Sequence, residues 1–222
     1  MKVPEARDRT SPTTDRLALT AHAGERDQLC VRIAESEADF ERIPRLNHRI
    51  FTAEIPQHPP REDRRLVDRR LEHSTCLIAL KGQHLVGMVA ISQCRPFSVE
   101  EKLGAPLEHF LPATEGLCEV RLLAVDPRSR GGAVFGLLLA ELIETARERG
   151  IEGGVISAHG SQTWLYRHLG FEPFGPPIGT PSVPYTAMLV DWNRLDPGAL
   201  RLAARRNRRQ RGRPGGAPRR LR

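Results

Sequence analysis

One segment of the sequence combines residue types and spacing that could do chemistry: Arg121-Leu-Leu-Ala-Val-Asp-Pro-Arg-Ser-Arg-Gly-Gly-Ala-Val-Phe135. An apolar run ends at Asp126-Pro127, a basic turn with two glycines follows, and a helical pattern begins. The first amides of a helix point outward without partners, and together with the helix dipole they attract phosphate oxygens. Gly131 and Gly132 would let the backbone approach an anion with no Cβ in the way. Arg128 and Arg130 could add charge-assisted contacts. The turn has neither the Gly-Lys-Ser/Thr ending of a Walker loop nor the three-glycine fingerprint of a dinucleotide fold. It predicts a pyrophosphate cradle of another kind, while an ordinary strand–turn–helix connection fits the same spacing. Cys30, Cys76, Cys94 and Cys118 include no CxxC pair and no His-rich neighbourhood. Free thiols in a reducing compartment are therefore expected, and a metal is not.

The elements that would position this turn follow from periodicity. Leu29 to Ala34 alternates enough for a short strand. Ser36 followed by Asp39 has capping-box spacing, and Phe40, Ile43, Leu46, Ile50 and Phe51 recur at roughly helical intervals. Pro44 should kink that helix or start a second one. Glu54-Ile-Pro-Gln-His-Pro-Pro60 can only be a stiff loop. Residues 62–72 read as a short charged helix. Cys76–Leu80 and Leu85–Ile91, joined by Lys81-Gly82-Gln83, predict a hairpin. Ser98-x-x-Glu101 has the spacing to cap a short helix. Cys118–Val125 is the next strand, and residues 133–149 form the clearest helix, with Gly150 as its stop. A strand over Gly154–Ala158, a helix over 161–169 and strands over 171–175 and 185–190 complete a mixed α/β domain around one sheet.

Composition bounds the rest. The 222 residues are 39% apolar, ample for one buried core. The net charge of +7 belongs to the C-terminus, because residues 201–222 hold ten Arg and no acid. The remainder has 24 basic against 27 acidic residues, which disfavours a nucleic-acid-binding core. Residues 1–28 read as a flexible leader, 29–195 as the folded domain and 196–222 as an Arg-rich disordered tail. That tail could give salt-sensitive, sequence-blind attraction to RNA or another polyanion. A GC-biased extension with no role is the plainer alternative. Among 34 basic residues only Lys2, Lys81 and Lys102 are lysines, which also suggests GC-rich coding. MKVPEARDRT holds no apolar run of signal-peptide length, and the longest apolar run, Ala133 to Ala140, is far too short for a membrane span. A cytoplasmic protein is expected.

Arg128-x-x-Gly131-x-Ala133 resembles the acyl-CoA pyrophosphate signature of the GNAT acyltransferase superfamily, Q/R-x-x-G-x-G/A. Leu123-Ala-Val125-Asp-Pro127 resembles that family's fourth strand, and Tyr166-Arg-His-Leu-Gly170-Phe171 its YxxxGF element. The resemblance covers about residues 29–192. It implies a GNAT-like single mixed sheet, mostly antiparallel and flanked by helices. A narrower likeness lies in Arg45-Leu-Asn-His-Arg-Ile-Phe-Thr-Ala-Glu-Ile-Pro-Gln-His-Pro-Pro60 with Arg65-Leu-Val-Asp68. It resembles a GNAT subgroup often fused to class V, PLP-dependent aminotransferases. Arg49 and Phe51, with Glu119 and Arg121, are similar to residues of N-acyl amino acid and acyl-homoserine lactone synthases. Those relatives take longer acyl chains, often from acyl carrier protein.

The resemblance implies transfer of an acyl group, most simply acetyl from acetyl-CoA, to the amine of a small molecule or amino acid, with no metal. Glu119 is then the candidate general base. Period-two geometry would place Glu119, Arg121, Leu123 and Val125 on one face, where apolar neighbours raise a carboxylate's pKa and Arg121 opposes that shift. A purely structural Glu119–Arg121 pair is the alternative. Tyr166 is the candidate acid for the departing thiolate, against a packing role beside Leu165, Leu169 and Phe171. Backbone near Leu123 and Val125 would hold the pantetheine arm and polarise the thioester. Arg128, Arg130, Gly131, Gly132 and Ala133 would hold the pyrophosphate. Arg49, Glu54, His58 and Arg121 are the acceptor-side candidates. Arg49 suits a carboxylate, while His58 could equally be a solvated loop residue; His73 and His159 are weaker candidates. Two further expectations compete with the acetyltransferase: a long-chain N-acyl amino acid synthase drawing on acyl carrier protein, and a non-catalytic acyl-CoA-binding module. Related folds often form homodimers.

Overall fold

The computed structural model describes residues 28–54, 58–130, 133–195, 197, 198 and 200. The expected leader and most of the Arg-rich tail lie outside them, as do Gly131 and Gly132 of the basic turn. Leu200, beyond the expected domain limit at 195, packs against the core.

Strand β1 (Leu29–Ile33) enters helix α1 (Glu37–His48) through Ser36. The Ser36 hydroxyl accepts from the Asp39 amide at 3.2 Å, and the Asp39 carboxylate accepts from the Ser36 amide at 3.2 Å. This is the expected capping box. The Arg32 guanidinium, 2.7 and 2.8 Å away, holds the Asp39 carboxyl well below the usual carboxylate range. No second helix starts at Pro44: α1 runs through it, and its carbonyl accepts the Leu66 amide at 2.9 Å. A single π-helical turn, Arg49–Glu54, then widens the helix end. There the Thr52 hydroxyl donates back to the His48 carbonyl.

The helix expected over 62–72 is absent. The segment is an irregular strap across α1, with only a 3-10 turn at Leu71–His73. Two aspartates explain it. Asp63 accepts from the Arg65 amide and Asp68 from the Arg70 amide, local bonds that compete with helix, and Arg64 adopts φ +52°.

Strands β2 (Thr75–Lys81) and β3 (His84–Ser92) form the expected hairpin. Helix α2 (Ser98–Leu103) follows, but Ser98 does not cap it. The Glu100 carboxylate takes the Phe97 amide at 2.7 Å, and the Ser98 and Val99 amides turn to Glu119. Strand β4 (Leu117–Val125), helix α3 (Val134–Glu148) and strand β5 (Gly153–His159) come next. Gly150, at φ +68°, ends α3 as expected. Helix α4 (Thr163–His168) leads to β6 (Glu172–Pro173), β7 (Ile178–Thr180) and β8 (Val183–Asp191).

These strands make one sheet in the order β1-β2-β3-β4-β5-β8-β6, with β7 also on β8. Every pairing is antiparallel except β4–β5. Helix α3 packs on one face through Leu138, Leu142 and Ile143. Helix α1 packs on the other through Ile43 and Leu46, and the α2 region beside it through Phe97 and Val99. The architecture is the expected mixed, mostly antiparallel α/β sheet flanked by helices.

Candidate active site

The sheet splits in its middle. Strands β4 and β5 pair only from Leu117↔Gly153 to Glu119↔Val155. Beyond that point β4 follows β3 and β5 follows β8. Parallel neighbours that part after three residues leave a wedge, and among the described residues no strand lies beside the β4 edge from Val120 to Val125. The wedge opens into a cavity of about 1230 Å³.

A bulge in β4 aims its side chains. Ala90 pairs with Arg121 and Met88 with Ala124, so two β4 residues stand opposite Val89, and Leu122 adopts φ +53°. The bulge overturns the single-face expectation. Glu119 and Arg121 point to the α1/α2 side, where Leu122 and Ala124 also pack. Leu123 and Val125 point to the α3 side with Val120. Plain period-two counting fails because the extra residue inverts the alternation.

The cavity therefore has two unlike walls. On the α3 side stand Val120, Leu123, Val125, Phe135, Ile156, Ala158 and Tyr166. On the α2 side stand Asp68, Ser98, Lys102, Glu119, Arg121, Ser157, His159 and Tyr185. Period two along β5 accounts for the division: Ile156 and Ala158 pack with α3, whereas Val155 packs with Phe97 before α2 and puts Ser157 and His159 on its own side.

Glu119 is 2% exposed and saturated with donors. Its carboxylate accepts the Ser98 amide at 2.9 Å, the Val99 amide at 3.0 Å, the Ser98 hydroxyl at 2.6 Å and the Arg121 guanidinium at 3.3 Å. Arg121 also donates to the Ser98 hydroxyl at 2.5 Å and to Asp68 at 2.6 Å. Five residues from three chain segments, Val99 through its amide, thus lock together at the point where the strands part.

Tyr166 faces the same point from α4. Its ring packs edge-on to Phe171 with centroids 5.4 Å apart, and burial pushes its phenol up to about 12. It stays protonated at neutral pH and can donate a hydrogen bond.

At the cavity mouth, Asp126 accepts the Arg128 amide at 3.0 Å and pairs with Arg49 at 2.9 Å. Arg130 donates its Nε to the Val125 carbonyl at 3.0 Å and pairs with Glu54. The structure thus brings Glu54, Arg130 and the β4 edge together, while Arg128 stays exposed and Ala133 is buried ahead of α3. Arg49 is committed to Asp126. His58 is exposed at the cavity rim, its amide on the Phe51 carbonyl. His159 lines the cavity with Nδ1 2.9 Å from the Ser161 hydroxyl.

Sequence reasoning missed Lys102, Ser157, Tyr185 and the site roles of Ser98 and Asp68. One signal was available: Ser98 and Lys102 are four residues apart, hence on one face of a helix. Among the described residues no group of three or more His, Cys, Asp or Glu could hold a metal, and no helix is long and apolar enough to cross a membrane.

The sequence model of the FeeM N-acyl amino acid synthase family matches residues 42–193, about two thirds of the chain. No curated protein sequence matches. Among solved structures, BjaI, a CoA-dependent acyl-homoserine lactone synthase bound to SAM and isopentyl-CoA, superposes with TM-score 0.60 at 24% identity, over 76% of this chain and 81% of its own. FeeM, an N-acyl amino acid synthase from uncultured soil microbes, gives 0.58 at 18% identity, over 80% and 99%. A GNAT-family acetyltransferase from Staphylococcus aureus Mu50 gives 0.52 at 15% identity, over 74% and 99%. At these identities the structural likeness speaks for the fold, while the family match runs from the second half of α1 through the split strands and Tyr166. The chain belongs to the FeeM N-acyl amino acid synthase family and is an N-acyltransferase.

Proposed function

We propose that this protein moves an acyl chain longer than acetyl from a thioester donor to the amine of an amino acid. The observation that carries it is the cavity. Ligand sites commonly occupy about 300–1,000 Å³, and this one measures about 1230 Å³ with one wall almost wholly apolar. An acetyl group beside a small acceptor would leave much of that wall wet. A longer chain along Leu123, Val125, Phe135 and Ile156 would bury it.

The donor enters along the unpaired β4 edge. Backbone groups near Leu123 and Val125 hold the pantetheine arm and orient the thioester carbonyl. The turn from Arg128 to Ala133, Gly131 and Gly132 included, takes the donor phosphates, for which Arg130 must exchange Glu54 for the anion. CoA is the donor that two phosphate-facing arginines suit; acyl carrier protein is the second candidate, with one phosphate on its arm. Of the four acceptor-side candidates, Arg121 borders the acceptor wall and His58 the rim, whereas Arg49 and Glu54 are held by Asp126 and Arg130 at the donor turn.

An ammonium group must lose a proton before it attacks. Glu119 holds four donors, so we assign it to a relay. Ser98 Oγ donates its proton to Glu119, accepts from Arg121 and keeps one lone pair free towards the cavity. It takes the amine proton as its own moves to Glu119. The amine nitrogen then bonds to the thioester carbon, the C–S bond breaks with Tyr166 donating a hydrogen bond to the departing thiolate, and the nitrogen's second proton passes to that sulfur, so the donor leaves as a thiol and the product as a neutral amide.

The test is turnover of acetyl-, octanoyl- and myristoyl-CoA with each proteinogenic L-amino acid, read as N-acyl product by mass spectrometry. Product with the longer donors and little with acetyl-CoA is expected. Preference for acetyl-CoA would overturn the chain-length assignment, and binding of acyl-CoA without product would favour a non-catalytic module. A Gly131→Glu variant, which sets an anion in the turn, should lose donor binding.

A further inference from the structure

Five lysine and arginine side chains among the described residues line the cavity: Arg69, Arg70, Lys102, Arg121 and Arg130. Four are committed to carboxylates. Arg69 and Arg70 pair with Glu101, Arg121 with Asp68 and Glu119, and Arg130 with Glu54. Lys102 alone of the five has no carboxylate at ion-pair distance. It reaches across the polar wall instead, with Nζ 2.5 Å from Ser157 Oγ and 4.4 Å from the centre of the Tyr185 ring. An ammonium group carries three N–H donors. One serves Ser157 and the ring face takes a second direction, which leaves a third for a ligand in the cavity.

The placement of this charge defines what it would bind. Lys102 follows Ser98 by one helical turn, so both side chains leave the same face of α2. An α-amino acid carries its amine and its carboxylate on one carbon. With the amine at Ser98 Oγ, the carboxylate falls towards the next turn of the helix, where Lys102 waits. We propose that Lys102, held by Ser157 and the Tyr185 ring, is the anchor for the α-carboxylate of the acceptor. This assignment rests on the amino-acid reading of the function and names the residue that enforces it. It replaces Arg49, the carboxylate ligand expected from sequence, which Asp126 occupies. Lys102 is exposed to the cavity, and desolvation of its ammonium lowers its pKa against the opposing pull of Glu119, Asp68 and Glu101; a bound carboxylate would give it a direct partner.

The experiment compares full-length wild type, Lys102→Met and Lys102→Arg. The acceptors are the best L-amino acid from the turnover screen and the amine that lacks its carboxylate. Circular dichroism and calorimetric binding of octanoyl-CoA establish that each variant is folded and holds donor. Lys102→Met should raise KM for the amino acid about ten- to a hundredfold, the range of a charge-assisted hydrogen bond. KM for the amine and for octanoyl-CoA should not move, and Lys102→Arg should recover most of the loss. An equal rise for amino acid and amine, or no rise for either, overturns the Lys102 assignment and leaves the function standing. A wild type that acylates the amines but no amino acid overturns the amino-acid reading, and the anchor with it.

Discussion

Replacing Glu119 by Gln tests the relay because shape is kept while charge and half the acceptor capacity go. The carboxylate accepts four hydrogen bonds: two from amides, one from a hydroxyl and one from a guanidinium. The amide oxygen of Gln can keep two, and its NH₂ then faces two donors. Each buried donor left without a partner costs about 1–3 kcal/mol, so two cost about 2–6 kcal/mol. Domains of this size commonly have about 5–15 kcal/mol to lose. At about 2–4 °C per kcal/mol, Tm should fall by about 4–24 °C, and an enzyme in the middle of that stability range should remain folded at 25 °C. Proton transfer is lost as well, and kcat should fall about a hundred- to ten-thousandfold. The variant can then use only acceptor already neutral in solution. Its rate should climb about tenfold per pH unit until the amine itself has titrated. Ser98→Ala breaks the same path one atom earlier. The double variant should therefore be little slower than Glu119→Gln alone, since residues of one unit are non-additive. The assay is N-acyl product formation across pH at saturating donor. A Glu119→Gln enzyme with wild-type kcat and an unchanged pH profile would refute the relay and leave Glu119 as the anchor of α2.

Four further outcomes are expected. Tyr166→Phe should lower kcat about ten- to a hundredfold without changing KM for the donor, because the lost hydrogen bond forms only as the thiolate leaves; steady-state kinetics decide it. Burial pushes the Cys76 and Cys118 thiols up to about 12, so at pH 8 both stay protonated and unreactive, while exposed Cys30 and Cys94 should alkylate; mass spectrometry after iodoacetamide would count two adducts on native protein and four on unfolded protein. A Cβ at Gly154 would come within 2.2 Å of the buried Trp192 ring, so Gly154→Ala should lower Tm by several degrees, at about 1–3 kcal/mol of overpacking. Asp39 has its folded pKa lowered, so its contribution is present above the unfolded value near 4 and is lost as pH falls through the folded one. Asp39→Asn should destabilise at pH 7 and lose that acid-side slope, as urea midpoints at pH 7, 4 and 3 would record.

What the sequence conveyed and what it withheld divide along physical lines. Local signals survived. The Ser36–Asp39 box, the 75–92 hairpin and the long helix ended by Gly150 depend on residues within a few positions of each other. Helix over 62–72 failed locally too, because Asp63 and Asp68 cap the backbone turn by turn and nothing in the apolar spacing reports that. The site was legible in part. The residue types at Glu119, Arg121 and Tyr166 drew attention, and all three line the cavity. The bulge did not declare itself: Leu122 is an ordinary strand residue, and only its φ of +53° against Val89 inverts the faces of Leu123 and Val125. Lys102 was only half legible, through its four-residue spacing from Ser98, for a different reason. Its partners, Ser157 and Tyr185, lie 55 and 83 positions further along, and only the β5–β8 pairing brings them beneath α2.

The bulge and the strand split act as one device. A sheet whose centre stayed paired would bury Glu119 and Arg121 between neighbours and leave no room for a thioester. Separation of β4 from β5 after Glu119 opens that room, but it exposes strand edge that would otherwise be paired. A donor whose amide-bearing arm lies along the β4 edge would satisfy those groups, so in the proposed reading the unpaired edge would serve as the docking strand for the substrate. The bulge then gives the two walls different chemistry from a single strand. Ahead of it, Glu119 and Arg121 face the polar, acceptor side; after it, Leu123 and Val125 face the apolar side, where Tyr166 stands. In the proposed reaction, amine and acyl chain would thereby be sorted to opposite walls before they react. Were Leu122 to continue the regular alternation instead of bulging, Leu123 and Val125 would share the polar wall, and the acyl chain would lose its apolar lining. Moving the bulge, rather than changing any one polar side chain, is the change that would abolish the site while leaving every catalytic residue in the sequence.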